Sequence, residues 1–423
     1  MAAAALSAKT TLFRQEAGGT TYRIPALLYI KETGTFLAFA EKRRTHRDAD
    51  AEYLVMRRGL VQGDTVKWES MTPLTSAVLP CHRTMNPCPV YETRRRVVFL
   101  FFICVHQDST ERCQILYGKN EARLCYVSSE DHGVTWSQLT DLTQEAIGED
   151  IANWATFAVG PGHGVQLQCG RLIVPAYMYY IHAGAAALPL LCFTRVHSFV
   201  FYSDDLGESW HYGRLLGNRK TGECEVAELL CNGSTSVLYC SARTVARMRA
   251  EALSWDLGLT FETPSLCKQL SEPPHGCQGS VVSFLSPEEY RQEREDEEER
   301  ASFPHKDNVP LRTGIRKSHL SAPRHTLSWL IFSHPTNRRK REGLGIYLNK
   351  SPLTPDCWDP PWIINKGPSG YSDLAACEGS LAFGCLFECG SVESWEEIAF
   401  QKVSLEMLLR NGMSCASHHC PAP

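Results

Sequence analysis

The chain has no apolar run long enough to cross a bilayer: the longest, Val97–Val105 and Ala183–Phe193, fall well short of the roughly 18 residues required. Its start, Met1–Lys9, is small and almost uncharged. It lacks the basic flank and sustained apolar stretch of a secretory signal, so synthesis in the cytosol is the expectation. Positive charge is not in excess either. Lys and Arg number 43 against 47 Asp and Glu, a formal charge of −4, which argues against a nucleic-acid-binding surface. Sustained helical periodicity is scarce, Val403–Arg410 being the best stretch, and this disfavours a helical architecture. In a reducing compartment the 18 cysteines read as free thiols, not as a disulfide framework. The Asn232-Gly-Ser234 sequon would then go unused.

What is present is a succession of short strand-like segments. Phe36–Ala40, Val97–Val105, Arg123–Ser128, Arg171–Tyr177, Ser198–Tyr202, Val237–Ser241, Ser280–Phe284, Trp329–Ser333, Leu344–Leu348 and Phe383–Phe387 are separated by turn residues, which predicts an all-β architecture. Val97–Val105 has the β-branched and aromatic content of a fully buried strand. Ala183–Phe193, with its alanines, glycine and proline, makes a poor strand but could form an apolar surface loop that touches a membrane. Ser286–His325 opens on an acidic run and continues with Pro, Lys, Arg and His. It cannot bury enough apolar surface to offset its ordering entropy, and it predicts a mobile insert.

One motif repeats. Ser129-Glu-Asp131-His-Gly133-Val-Thr135-Trp136 recurs as Ser203-Asp-Asp205-Leu-Gly207-Glu-Ser209-Trp210, and in weaker form as Ser254-Trp-Asp256-Leu-Gly258-Leu-Thr260-Phe261. Each copy follows an apolar strand and supplies what a tight hairpin needs: an Asp for neighbouring amides, a Gly for positive φ and an aromatic to pack beneath. The spacing suits four-stranded blades of roughly 40 to 50 residues, hence a β-propeller. These repeats resemble the Asp boxes of the sialidase family. That resemblance implies a six-bladed β-propeller as a single catalytic domain over 1–423, with the insert at about 286–325 and a flexible tail at about 412–423.

The resemblance extends to motifs that carry chemistry. Tyr22-Arg23-Ile24-Pro25 is similar to the family's first-blade motif, and it implies that Arg23, with Arg243 and Arg341, forms an arginine triad. Planar guanidiniums suit the carboxylate of sialic acid because they bind it through paired, charge-assisted hydrogen bonds. Gly343 stands where the family usually has an Asp two residues after the third arginine. An anionic nucleophile would be repelled by that carboxylate, which is why sialidases use a neutral tyrosine. Gly370-Tyr371-Ser372-Asp373 resembles the nucleophile segment and makes Tyr371 the nucleophile. Glu223 is the implied base beside it, with Glu225 and Glu228 as alternatives. Asp48, with Asp50 as its rival, is the implied acid/base. Arg43, Met85, Asn86, Glu111, Tyr177, Tyr179 and Gln278 are implied to shape the substrate pocket. Tyr180 should face the other way on a regular strand.

Phe36–Lys42, Ala155–Gln168, Glu223–Leu229 and Glu272–Phe284 look most like the membrane-associated, ganglioside-preferring branch of the mammalian sialidases. This implies gangliosides and other sialoglycoconjugates as substrates. It also implies peripheral attachment to the plasma membrane, with endosomal or lysosomal membranes as further sites, by an apolar loop or by S-acylation. The terminal Cys420-Pro-Ala-Pro423 does not fit a prenylation signal. No metal or cofactor is expected, despite Cys415, His418, His419 and Cys420 in the tail. A propeller that binds sialoglycans without cleaving them, and a trans-sialidase, are the rival readings.

Overall fold

A computed structural model describes residues 8–182, 193–231, 235–292, 295, 326–377 and 381–414. The expectations placed on Ala183–Phe193, the sequon, most of the insert and the end of the tail fall outside or largely outside these residues. No disulfide joins the described cysteines. No described helix is long and apolar enough to cross a membrane.

Strands are the dominant elements of the described chain, and they pair antiparallel. One sheet is built on Thr21–Ile30, Thr35–Arg43 and Ala51–Gln62. A second holds His82–Glu92, Val97–His106 and Ala122–Ser129; a third, Trp154–Val159, Leu172–Ile181 and Thr194–Ser203; a fourth, Cys224–Cys231, Thr235–Ala242, Met248–Ser254 and Ser265–Ser271. The fifth runs from Ser280–Leu285 to Glu397–Ser404 and ends on Thr10–Arg14, so both ends of the chain share one sheet and close the ring. First strands meet at the centre: Thr21–Ile30 packs beside His82–Glu92 and Trp362–Cys377, and Ser280–Leu285 beside Cys224–Cys231 and Trp362–Cys377. The arrangement is propeller-like.

The number of continuous sheets departs from the six blades expected. The 16-residue strand Trp362–Cys377 pairs with Glu342–Asn349 through its first half and with Ala382–Cys389 through its second. Two groups of strands thereby merge into one seven-stranded sheet, and the described strands form five sheets.

Val97–Val105 is fully buried, as expected, and its alternation explains why. Val97, Phe99, Phe101, Ile103 and Val105 enter one core cluster, while Val98, Leu100, Phe102 and Cys104 enter the next. Both faces of the strand are covered, and each such side chain contributes about 1.5–3 kcal/mol of burial. The repeated motifs act as hairpin locks. Asp131 accepts from the amides of Val134 and Thr135 at 3.0 and 2.8 Å, Ser129 Oγ accepts from Gly133 N at 2.8 Å, and Gly133 has φ 81°. Asp205 and Asp256 accept equivalently from Ser209 N and Thr260 N.

Two helices differ from expectation. The C-terminal helix is Leu405–Ser414, later than Val403–Arg410, because Val403 and Ser404 still pair with Phe383 and Ala382. Glu111–Tyr117 was not foreseen. It is only seven residues long, starts where Thr110 Oγ1 accepts from Cys113 N, and stops at Gly118 with φ 62°.

Candidate active site

A cavity of about 690 Å³ opens at the end of the central strands. It is lined by Arg23, Arg243, Arg341 and Tyr371, by Asp48 and Glu223, and by Arg43, Met85, Asn86, Glu111, Tyr177 and Tyr179. Every expected site residue except Gln278 is therefore brought to one place.

Tyr371 is the centre of the cluster. Its hydroxyl donates a short hydrogen bond to the Glu223 carboxylate and accepts from Arg243 Nη1 at 3.0 Å. Arg243 Nη1 also reaches Glu223 Oε2 at 2.6 Å. The guanidiniums of Arg23 and Arg341 lie 5.5 and 5.3 Å from the centre of the Tyr371 ring. Burial and the negative charge of Glu223 push the phenol up, against the pull of Arg243 and Arg341, so the hydroxyl is held neutral.

Arg23 is fixed by Glu388, whose carboxylate accepts from Nε at 3.0 Å and Nη2 at 3.2 Å and from the amides of Ile24 and Tyr371 at 3.0 and 3.1 Å. Glu388 thus ties the first arginine to the backbone of the tyrosine. Arg341 has no carboxylate partner among the described residues and donates to Gly276 O at 3.0 Å. Gly343, which stands where the family usually has an Asp, has φ 71°, and a Cβ there would lie 2.9 Å from Thr336 Oγ1.

Asp48 opens a single helical turn and accepts from Arg43 Nη1 at 2.5 Å. Arg43 is itself held by Glu41, which also accepts from Asn86 N at 2.7 Å. Burial works to raise the Asp48 carboxyl, but Arg43 and Arg23 outweigh it and hold it below its ordinary range. The side chain is 66% accessible, so solvent in the cavity screens these pairs. Asp50 does not line the cavity; it accepts from Arg44 and Thr45 at the surface.

The other two glutamates of the Glu223 strand are occupied elsewhere. Glu228 accepts from Gln168 N. Glu225 lies one rung below Glu223, beside His163 and Asp373. Asp373 already accepts from His163 at 2.7 Å, Ser280 at 2.7 Å and the amides of Leu374 and Leu27, so this cluster is a hydrogen-bonded tie between central strands.

The opposite wall carries Tyr177 and Tyr179, whose ring centres are 6.5 Å apart, and the short helix brings Glu111 in front of them. Desolvation, then the charges of Asp48 and Glu223, push the Glu111 carboxyl up to about 7. Tyr180 turns away and packs against the core, as strand alternation requires. Gln278 is the correction. It is buried beneath the cavity, where Nε2 donates to Pro161 O at 3.1 Å and Oε1 accepts from Ser372 N at 3.0 Å, so its polar atoms are consumed by the backbone. Glu41 and Glu388 were missed, although each stands as a lone acid in an apolar strand.

Residues 34–384 match the family model described as a BNR repeat-like domain. Sialidase-3 of Homo sapiens is 54% identical over 396 residues, covering 93% of this chain and 92% of that protein. The chain belongs to the sialidase family. This sialidase is also 40% identical to Sialidase-2 of Mus musculus over 409 residues, covering 95% of the chain and 96% of that protein. It superimposes on a solved structure, Hadza microbial sialidase Hz136, with a TM-score of 0.70 at 20% identity, covering 95% of this chain and 69% of that one. This last likeness concerns the fold, which is the all-β sialidase fold. The protein is an enzyme, a glycoside hydrolase.

Proposed function

We propose that the enzyme is a retaining exo-α-sialidase in which Arg23, Arg243 and Arg341 hold the substrate carboxylate while Tyr371 attacks the anomeric carbon. The observation that carries this reading is the set of three guanidiniums around a neutral phenol that is hydrogen-bonded to Glu223.

The steps follow from charge. The sugar carboxylate pairs with the arginines through charge-assisted hydrogen bonds. Its arrival adds negative charge beside Arg23 and raises the proton affinity of Asp48, which in the free site is held low by Arg43 and Arg23. Asp48 then protonates the glycosidic oxygen, Glu223 takes the phenolic proton, and Tyr371 captures the anomeric carbon as a covalent intermediate. Water activated by Asp48 releases the sugar with retained configuration. Because Asp48 must carry a proton, the rate is greatest under acidic conditions.

The merged seven-stranded sheet is read here as two blades sharing Trp362–Cys377, which makes six blades in a single catalytic domain over 1–423. Gangliosides and other sialoglycoconjugates are the proposed substrates, and the proposed place of action is the plasma membrane, by peripheral attachment, with endosomal or lysosomal membranes as further sites. The support for this branch is the greater identity to Sialidase-3 than to Sialidase-2.

The test is a proton NMR time course with a sialoside and an added acceptor sugar. Free sialic acid appearing first as the α-anomer supports the reading. The β-anomer as first product, transfer to the acceptor, or no cleavage would each overturn it.

A further inference from the structure

Two of the three arginines lean on the same short turn. Arg243 donates to His275 O from Nε at 3.1 Å and from Nη2 at 2.8 Å, and Arg341 donates to Gly276 O at 3.0 Å. The turn Pro273–Gly276 is closed by Gly276 N on Pro273 O at 2.9 Å, with His275 and Gly276 at φ 65° and 71°. Its two carbonyls therefore set the direction in which both guanidiniums present their remaining N–H groups.

The turn is held by Glu272, which is fully buried and does not line the cavity. One carboxylate oxygen accepts from Cys277 N at 2.8 Å and His334 Nε2 at 3.1 Å; the other accepts from Arg249 Nη1 at 3.1 Å and Thr244 N at 3.4 Å. Arg249 reaches on to Cys277 O at 2.7 Å and to Ser241. Thr244 follows Arg243 directly, Cys277 follows the turn, and His334 lies on the strand that leads to the Arg341 hairpin. A single carboxylate thus fastens the segment of Arg243, the segment of Arg341 and the turn between them.

We infer that Glu272 is a positioning residue that fixes the presentation of Arg243 and Arg341 to the anionic end of the substrate. It acts chiefly on carboxylate binding; the Tyr371–Glu223 pair meets the turn through Arg243, through Arg341 over the Tyr371 ring and through the packing of Cys277 against Tyr371. The inference rests on the reading of Arg243 and Arg341 as carboxylate binders.

The experiment measures KM and kcat with a fluorogenic sialoside for Glu272→Gln, Gly276→Ala and Arg243→Ala beside the native enzyme. Gly276→Ala leaves Glu272 in place but puts a Cβ 2.5 Å from Thr244 O and 2.8 Å from Arg243 Cγ, so it displaces the turn if Glu272→Gln does not fold. The expected result is a KM raised by about tenfold or more in Glu272→Gln and in Gly276→Ala, with a smaller proportional fall in kcat. The second arm measures inhibition by an unsaturated sialic acid analogue and by its methyl ester, which lacks the anion. Glu272→Gln weakens the acid about tenfold and the ester less than about twofold, whereas mere loosening of the fold weakens both alike. If Arg243→Ala raises KM but the Glu272 and Gly276 variants stay within twofold of native, this inference fails alone. If Arg243→Ala also leaves KM unchanged, the carboxylate-binding reading fails with it.

Discussion

Replacing Glu388 by Gln tests how the site stores its positive charge. Glu388 is fully buried and accepts four hydrogen bonds, two from Arg23 and one each from the amides of Ile24 and Tyr371. Burial alone would raise its carboxyl, yet Arg23 and the two amides hold it below the ordinary range. The amide of Gln keeps the volume but removes the counter-charge and turns two hydrogens toward donors. Removing one partner of a buried pair costs about 3–5 kcal/mol, against a total stability of roughly 5–15 kcal/mol. Urea unfolding should therefore show a midpoint well below that of the native enzyme with the same slope. An unsaturated sialic acid analogue supplies a new anion to Arg23, and saturation at 100 times its dissociation constant returns about 2.7 kcal/mol. The stability of Glu388→Gln should recover with this ligand and not with its neutral methyl ester. A variant within about 0.5 kcal/mol of native, which is the ordinary range for a surface substitution, would refute the argument.

Asp131→Ala removes the acceptor of a hairpin lock far from the cavity, so it should lower stability by about 1–2 kcal/mol and leave kcat and KM unchanged. Glu272 has a folded value of about 2 against 4.5 unfolded, held down by His334 and Arg249 in spite of burial. Its contribution is present above pH 4.5 and is lost as pH falls toward 2; it amounts to about 3 kcal/mol, so acid unfolding of Glu272→Gln should be shallower than native in that window. Glu111, pushed up to about 7, ionises beside Asp48 and Glu223 as pH rises from 6 to 8. The native KM should rise across that range, and Glu111→Gln should keep it flat.

The strands read from apolar content were those with covered faces, such as Phe36–Ala40 and Val97–Val105. Of the central strands, Ser280–Leu285 was read as Ser280–Phe284, but Thr21–Ile30 and His82–Glu92 escaped because they carry the chemistry. Thr21–Ile30 and His82–Glu92 contain Arg, Asn and Pro, and their pairing slips between Arg23 and Ala26 and between Met85 and Cys88. Ile24 and Asn86 adopt φ 63° and 58° at those slips, aiming neighbouring side chains into the cavity at the expense of any period of two. Motif resemblance located Tyr371 and the arginines but carried Gln278 along, since a motif does not tell which polar residue meets the cavity and which meets the backbone beneath. Glu388 lies 365 residues from the Arg23 it holds, and only the closed ring of sheets brings them together, whereas Glu272 meets the Arg243 and Arg341 segments at the end of one sheet and its neighbour.

The most direct measurement is mass spectrometry of the enzyme quenched during turnover of a fluorinated sialosyl substrate that slows the second step. The account predicts one sialyl adduct on the peptide containing Tyr371, absent from Tyr371→Phe. An adduct on Asp48 or Glu223, or steady turnover by Tyr371→Phe at the native kcat, would contradict it.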